Sequence, residues 1–375
     1  MEKNENNKAR ILTSYYRPKP GGFCKRLFRA INALLERGHE VHYLSVVEFP
    51  IDHPSCMHHK FPWPERYTDT LIFWAMFHTL APVFLLYLGF KLKITHCFAF
   101  VPNYALIMQP LHLFKGIPLS LFLRADTLKN HQIKKRPPWI LQIELLIEAM
   151  AIQGTRLYCV SQTLCDTVVE RHRWSHPASS GILRNEITES AIHKIIKPNT
   201  PLRFACVGIL EKRKNQAFLL SLFSRIKTEK IHLYLYGTGS DEGDLRQRAK
   251  ELHISNVVSF MGWVEREKIW CDVDVLLFPS LHEGAPNTVL EALGHHIPVI
   301  ASDIPEHREI LPPICLLSSS DLDAWQKTIT NLYSNPEIER DKLIKAQQVS
   351  IEQLQFDWDE AICSRVLNFP LASTL

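Results

Sequence analysis

The sequence predicts two doubly wound α/β domains, each a parallel sheet with helices on both faces. Three observations carry this expectation. Short β-rich runs alternate with helix-period stretches nearly from end to end, the arrangement of consecutive βαβ units. The alternation breaks once, between about Arg184 and Leu202, and then restarts. The chain has 375 residues, and a typical domain takes about 150.

The first half begins with a β-rich run from Arg10 to Tyr16. Gly21-Gly22 then opens a helix whose apolar positions Leu27, Ile31, Leu34 and Leu35 recur every three to four residues, with Gly38 placed as its C′ residue. Val41–Val47, Ile94–Phe100, Pro118–Arg124 and Arg156–Val160 read as strands; Pro138–Ile152 and Gln162–His172 read as helices. Pro198, Asn199 and Pro201 interrupt the pattern. Strands then recur at Arg203–Gly208, Ile231–Gly237, Val257–Phe260, Val273–Pro279 and Pro298–Ala301, and Asp321–Ser364 is helical, with Pro336 as punctuation. The expected division is therefore an N-terminal domain over 1–184, a linker over 185–201, a second domain over 202–355, and a C-terminal helix and tail over 356–375 that packs back on the first domain. In such folds ligands bind outside the carboxyl ends of the strands, here in the cleft between two facing sheets.

Composition narrows the function classes. With 46% hydrophobic and 22% charged residues, the chain is an ordinary globular protein with a full core rather than a disordered one. A net charge of +4 over this length is too small for a nucleic-acid-coating protein. The nine cysteines are odd in number, widely spaced and free of Cys-x-x-Cys pairs, so they read as buried small hydrophobes of a reducing compartment. The polar stretch from Met1 to Arg10 has no apolar core of a signal peptide, and a cytoplasmic location is expected. Leu71–Phe90 is apolar enough to meet the ~20-residue length of a membrane span. Pro82 near its middle, and the continuing fold on both sides, favour a buried helix with one face at a membrane surface beside Lys91 and Lys93.

The chemistry concentrates in Pro279–Ile300, PSLHEGAPNTVLEALGHHIPVI, where Glu283 and Glu291 stand eight residues apart across a strand-to-helix turn. Pro286 suits the first helical position, since it has no N–H to leave unpaired. The amides around Asn287 and Thr288 then form a helix N-terminus that favours a phosphate. Glu291 lies about five residues in, ~7.5 Å along the axis, where a carboxylate can accept both hydroxyls of a ribose whose diphosphate sits at the helix end. Glu283 precedes the helix and faces the cleft.

Glu283-Gly284 through Glu291, followed by Pro298-Val299-Ile300 and Glu309, resembles the E-x7-E signature of the retaining glycosyltransferases of family four, which have the GT-B fold. The resemblance runs along most of the chain: Gly21-Gly22, Arg37-Gly38-His39-Glu40-Val41, Cys159-Val160-Ser161, Asn185, Val207-Gly208 with Lys214-Asn215, Gly237-x-Gly239 and Phe260-Met261-Gly262 follow in the family's order. It implies that Glu283 contacts the transferred sugar, that Glu291 holds the ribose of a nucleotide-sugar donor, and that Lys214 neutralises the diphosphate. Gly21 and Gly22, lacking a Cβ, would let diphosphate and sugar approach the N-terminal domain; Gly208 would serve the nucleotide-side turn. A cation with helix-end amides can stabilise the leaving diphosphate, so no metal or cofactor is expected beyond the donor itself.

Several positions depart from the family pattern. Ile209 stands where an arginine usually partners the lysine, and Arg213 is the candidate substitute. Glu186 follows Asn185 in place of glycine, and His295-His296 occupy another usual glycine stretch. Where the family often has a histidine after the fourth strand, this strand ends Leu123-Arg124-Ala125-Asp126; Arg124 and Asp126 are the candidates there to face sugar or acceptor, Asp126 either as a base for the acceptor hydroxyl or as a helix or turn cap. Asp272-Val273-Asp274 leads directly into a buried strand and reads as structural rather than as a D-x-D metal motif, and His53, Cys56, His58 and His59 read as a polar loop. Gly237-x-Gly239 lacks the third glycine of a dinucleotide fingerprint, which leaves an NAD-dependent oxidoreductase without its motif.

The function implied is transfer of a hexose-type sugar from a nucleotide diphosphate sugar to a hydroxyl of a surface glycan or lipid-linked saccharide. An enzyme of this kind would rest on an anionic membrane face through Leu71–Phe90 and the basic Lys25, Arg26 and Arg29. The alternative is a non-catalytic glycosyltransferase-like partner subunit, suggested by Ile209 and Glu186 and opposed by the joint presence of Glu283, Glu291 and Lys214.

Overall fold

The computed structural model describes residues 8–19, 22–133, 135–188, 201–226 and 228–367. Gly21 and most of the expected linker lie outside the described residues. The chain divides into two compact units, Met1–Arg184 with Asp357–Leu375, and Asn185–Phe356.

The first unit alternates β1 (Arg10–Ser14), α1 (Gly22–Glu36), β2 (Glu40–Ser45), β3 (Cys56–Lys60), α2 (Leu71–Lys91), β4 (His96–Ala99), α3 (Pro102–Lys115), β5 (Leu119–Leu123), α4 (Thr127–Ile133), α5 (Pro138–Ile152), β6 (Arg156–Cys159), α6 (Gln162–Arg171) and β7 (Ser179–Ile182). Seven strands lie in the order β3-β2-β1-β4-β5-β6-β7, all parallel. Local signals set the ends of the elements. The chain turns out of α1 through Gly38 at φ +84°, whose N–H bonds Leu35 O at 2.9 Å. Ser161 caps α6 by accepting from Leu164 N at 3.2 Å, and Pro102 opens α3 at a position that needs no donor.

The second unit runs β8 (Leu202–Val207), α7 (Gln216–Arg225), β9 (Ile231–Tyr236), α8 (Glu242–Glu251), β10 (Val258–Gly262), α9 (Arg266–Trp270), β11 (Val275–Phe278), α10 (Asn287–Gly294), β12 (Val299–Ser302), α11 (Pro305–Arg308), β13 (Leu316–Leu317), α12 (Leu322–Ser334) and α13 (Pro336–Leu354). Its six parallel strands follow the order β10-β9-β8-β11-β12-β13, with Trp270 and Trp325 buried in the core between sheet and helices. The last helix, α14 (Trp358–Leu367), belongs to the first unit. Trp358, Ile362 and Val366 are fully buried there, each stabilising by roughly 1.5–3 kcal/mol.

Alternation along the strands divides the first sheet into two faces. Ile11, Val41, Tyr43, Phe98 and Phe122 join α1 and α14 in one core cluster, and Ser120 Oγ donates to Arg365 O of α14 at 3.0 Å. The opposite face lies under α2, α3 and α5. Arg29 of α1 bonds Asp359 at 2.6 Å, and the guanidiniums of Arg26 and Arg29 lie over the Trp358 ring at 4.9 and 5.2 Å. The basic residues of α1 are therefore on the other side of the sheet from α2, and the two do not form the single membrane-facing group that their sequence suggested.

The structure corrects three further expectations. Cys56–Lys60 is edge strand β3, not a loop: His58 Nε2 pairs with Ser45 Oγ at 2.9 Å, and His59 Nε2 with His42 Nδ1 at 3.0 Å. Burial and the neighbouring imidazoles push His59 down to about 4. The nine cysteines are unpaired, but Cys271 is exposed and Cys56 half-buried rather than part of the core. Pro286 is the cap residue before α10, not its first helical residue; its carbonyl accepts from Val289 N at 2.9 Å. Asp274 is buried with its carboxylate on Arg203, Oδ2 accepting from Arg203 N at 2.9 Å and Nε at 3.1 Å, which ties β8 to the turn before β11.

Candidate active site

The second unit places four of the expected residues together. Gly208 follows β8 at φ +152°, a conformation glycine tolerates, and a Cβ there would stand 3.4 Å from Lys214 Cε. The chain then makes the short 3-10 turn Lys212–Lys214 and reverses through Asn215 at φ +58°. This turn is stitched to the segment after β11: Asn215 Nδ2 donates to Pro279 O at 3.2 Å, and Leu281 N donates to Arg213 O at 2.8 Å. The stitching sets Lys214 and Arg213 against Glu283.

Glu283 is only 4% exposed, so its charge requires partners. Lys214 Nζ donates to Oε1 at 2.6 Å, and Arg213 Nη1 donates to Oε2 at 3.3 Å. Lys214 Nζ also sits over the Phe278 ring, 4.4 Å from its centroid. Arg213 Nε pairs with Glu211 at 2.5 Å, so the group holds two cations and two carboxylates. An ammonium has three donors and a guanidinium five, so both cations keep N–H groups for a further anion while holding Glu283.

A buried layer supports this group. His282 Nδ1 pairs with Glu306 Oε1 at 2.9 Å. Ser302 Oγ donates to Ser280 O, and His307 Nδ1 donates to Ser302 O at 2.7 Å. Burial holds the His307 imidazole below its usual pKa, and its ring packs on Phe278 with centroids 5.4 Å apart. Four residues beyond Glu283, α10 begins at Asn287, whose side-chain oxygen accepts from Asn185 Nδ2. Glu291 is the fifth residue of that helix and pairs with Arg266, which opens α9 just after the turn that follows β10. Gly284 and Thr288 are half-buried along the same stretch.

Arg124 and Asp126 belong to the first unit, where Arg124 is half-buried just after β5. Asp126 is buried; Oδ2 accepts from Arg171 Nη2 at 2.5 Å and Oδ1 from Lys129 N at 3.0 Å. Burial acts to raise its pKa, yet Arg171 and the Lys129 amide outweigh it and hold the carboxyl below the usual range. Asp126 thus caps the start of α4 through the Lys129 amide and also forms an ion pair with Arg171. Gly22 is the first residue of α1. Glu211, Phe278, the His282–Glu306 pair and Arg266 were not foreseen. Glu211 and Arg266 sit beside expected residues in sequence or in the following turn, but Glu306 offered no local signal.

Two Rossmann-like units with parallel sheets of seven and six strands define the GT-B fold. Residues 201–335, which carry the Lys214–Glu283 group and Glu291, match the family model of "Glycosyl transferases group 1". The chain is 26% identical over 236 residues to the O-antigen chain mannosyltransferase RfbU of Salmonella typhimurium, covering 59% of this chain and 64% of that one. Among solved structures, the lipopolysaccharide outer core galactosyltransferase WaaB in its apo form superposes with a TM-score of 0.71 at 16% identity, over 96% of this chain and 99% of that one. HepE of Anabaena, in complex with UDP-glucose, superposes with a TM-score of 0.69 at 13% identity, over 96% and 100%. At those identities the two structures speak for the fold. The chain spans about a third of the length of two other curated relatives that it matches, at 33% and 32%. The family model thus covers most of the second unit, and the structural neighbours share the GT-B fold.

Proposed function

We propose that this protein is a retaining glycosyltransferase that moves a hexose-type sugar from a nucleotide diphosphate sugar to a hydroxyl of a surface glycan or lipid-linked saccharide. It would act at the cytoplasmic face of the membrane. The observation that carries the reading is the convergence of Lys214 and Arg213 on buried Glu283, just ahead of the α10 N-terminus. In the reaction the bond from the sugar's anomeric carbon to the diphosphate oxygen breaks, and the diphosphate leaves with the electron pair. The acceptor oxygen bonds to that carbon, and its proton passes to the departing diphosphate oxygen or to water. Lys214, Arg213 and the first amides of α10 would stabilise the charge gathering on the diphosphate, so the reaction would proceed without a metal ion. Glu283 would orient the transferred sugar, and Glu291 would hold the ribose hydroxyls. Arg213 would take the place of the arginine that Ile209 replaces. The mannosyl- and galactosyltransferase names of the relatives agree with a hexose donor in lipopolysaccharide-type assembly.

The test is transfer with a panel of nucleotide sugars in the presence and absence of a chelator. Lys214→Ala and Glu283→Ala are each expected to lower turnover by about 10²–10³-fold, the usual loss for one preorganised electrostatic partner. Unchanged turnover in both variants would remove the site assignment. A second reading, a non-catalytic subunit, draws on Ile209, which is 55% exposed where the resemblance expects an arginine. It predicts no turnover with any donor.

A further inference from the structure

α2, α3 and α5 form one layer over a face of the first sheet. Each helix runs into its own strand, α2 into β4, α3 into β5 and α5 into β6, so their C-terminal ends lie at one sheet edge. The layer is locked internally. Gln109 Nε2 of α3 donates to the carbonyls of Met150, Ala151 and Gln153, each at 3.0 Å. Lys115 Nζ donates to Gly89 O at 2.9 Å, and a Cβ on Gly89 would lie 2.2 Å from Leu111 Cδ2. The inner stripe of α2, with Phe73, Phe77, Ala81 and Leu85, is completely buried.

The outer face of a helix layer in water is normally polar. Here it is apolar: Ile72, Val83 and Phe90 of α2, Phe114 of α3, and Trp139 and Leu146 of α5 are each 60–76% exposed. The carboxylates of α5 do not interrupt it, because Glu144 is half-buried and Glu148 is buried on Arg171. Positive charge gathers at the shared C-terminal edge as Lys91, Lys93 and Lys115, and Lys115 Nζ lies 4.2 Å from the centroid of the Phe90 ring. A broad apolar face on several elements marks an interaction surface. Its ammonium edge fits a partner that is apolar in depth and anionic at its surface.

We infer that the α2–α3–α5 face seats this protein on an anionic lipid bilayer, with these side chains in the acyl–headgroup boundary and the lysines among lipid phosphates. α2 lies in the interface and does not span, because its inner stripe is occupied by the unit's own core. The inference gives the membrane-borne acceptor of the proposed function a docking surface, and rests on that reading only for its purpose. The test is flotation of the full chain with vesicles of phosphatidylcholine alone or mixed with phosphatidylglycerol, followed by an alkaline carbonate wash. The wild type is expected to float with the anionic vesicles and to be released by the wash. The triple variant Ile72→Ser/Val83→Ser/Trp139→Ser should partition at least about tenfold less, and Lys91→Glu/Lys93→Glu should lose the preference for anionic lipid. Because these positions are exposed, both variants should keep the wild-type melting temperature and nucleotide affinity, which separates failure of the surface from failure of the donor site. Wild type that stays in the aqueous fraction, or a triple variant that floats equally well, would overturn the inference. So would retention after the carbonate wash, or a vesicle-free dimer that the triple variant abolishes.

Discussion

Asp126 shows how one side chain supports two sequence readings. A carboxylate just past a strand end is placed for proton transfer or for capping, and its ion pair with Arg171, 45 residues away, was visible to neither reading. With its pKa below the unfolded value, Asp126 stabilises fully above the unfolded carboxylate range, ~3.9, and the contribution is lost as pH falls through the lower folded value. Asp126→Asn should therefore cost about 2 kcal/mol near neutral pH, and the cost should vanish in strong acid; denaturant unfolding across pH checks this. Glu283 and Glu291 were legible because their spacing around a strand-to-helix turn is local, whereas Lys214, 69 residues from Glu283, was carried only by the family resemblance. Their environment was not, since Phe278 and Glu306 reach the group through the packing of the sheet rather than along the chain.

At the level of elements, the turns after β8 and β9 carry a clear expectation. Gly237 has φ +126°, and a Cβ there would lie 2.0 Å from the carbonyl oxygen of Gly208. The pair Gly237-x-Gly239 is thus a close-packing device beneath the Lys214 turn, which the spacing alone did not reveal. Gly237→Ala should destabilise by at least about 2 kcal/mol. Gly243→Ala, in an exposed stretch of α8 with nothing within 4 Å, should stabilise by up to about 0.5–1 kcal/mol; thermal melts of both variants make the comparison. Most strands and helices followed from periodicity. β3 did not, because its polar sequence, with two histidines, carries no alternation. Nor did the two faces of α2: a segment apolar on every side has no period to show which stripe the core takes.

On the scale of the whole molecule, the single break in alternation near residue 184 was visible as a run of prolines and polar residues. The return of α14 to the first unit, expected from the sequence as a whole, rests on Trp358 packing under Arg26 and Arg29, residues more than 300 positions away. In the second unit a short cationic turn is held on one buried carboxylate just ahead of a helix start, the arrangement proposed to receive a nucleoside diphosphate. Isothermal calorimetry with uridine and guanosine diphosphates, on wild type and Lys214→Ala, reads this role. The wild type should bind one diphosphate saturably, and the variant should bind it at least about tenfold more weakly, the scale of one charge-assisted contact. Equal affinity in the two proteins, or no binding of either nucleotide to the wild type, would contradict it.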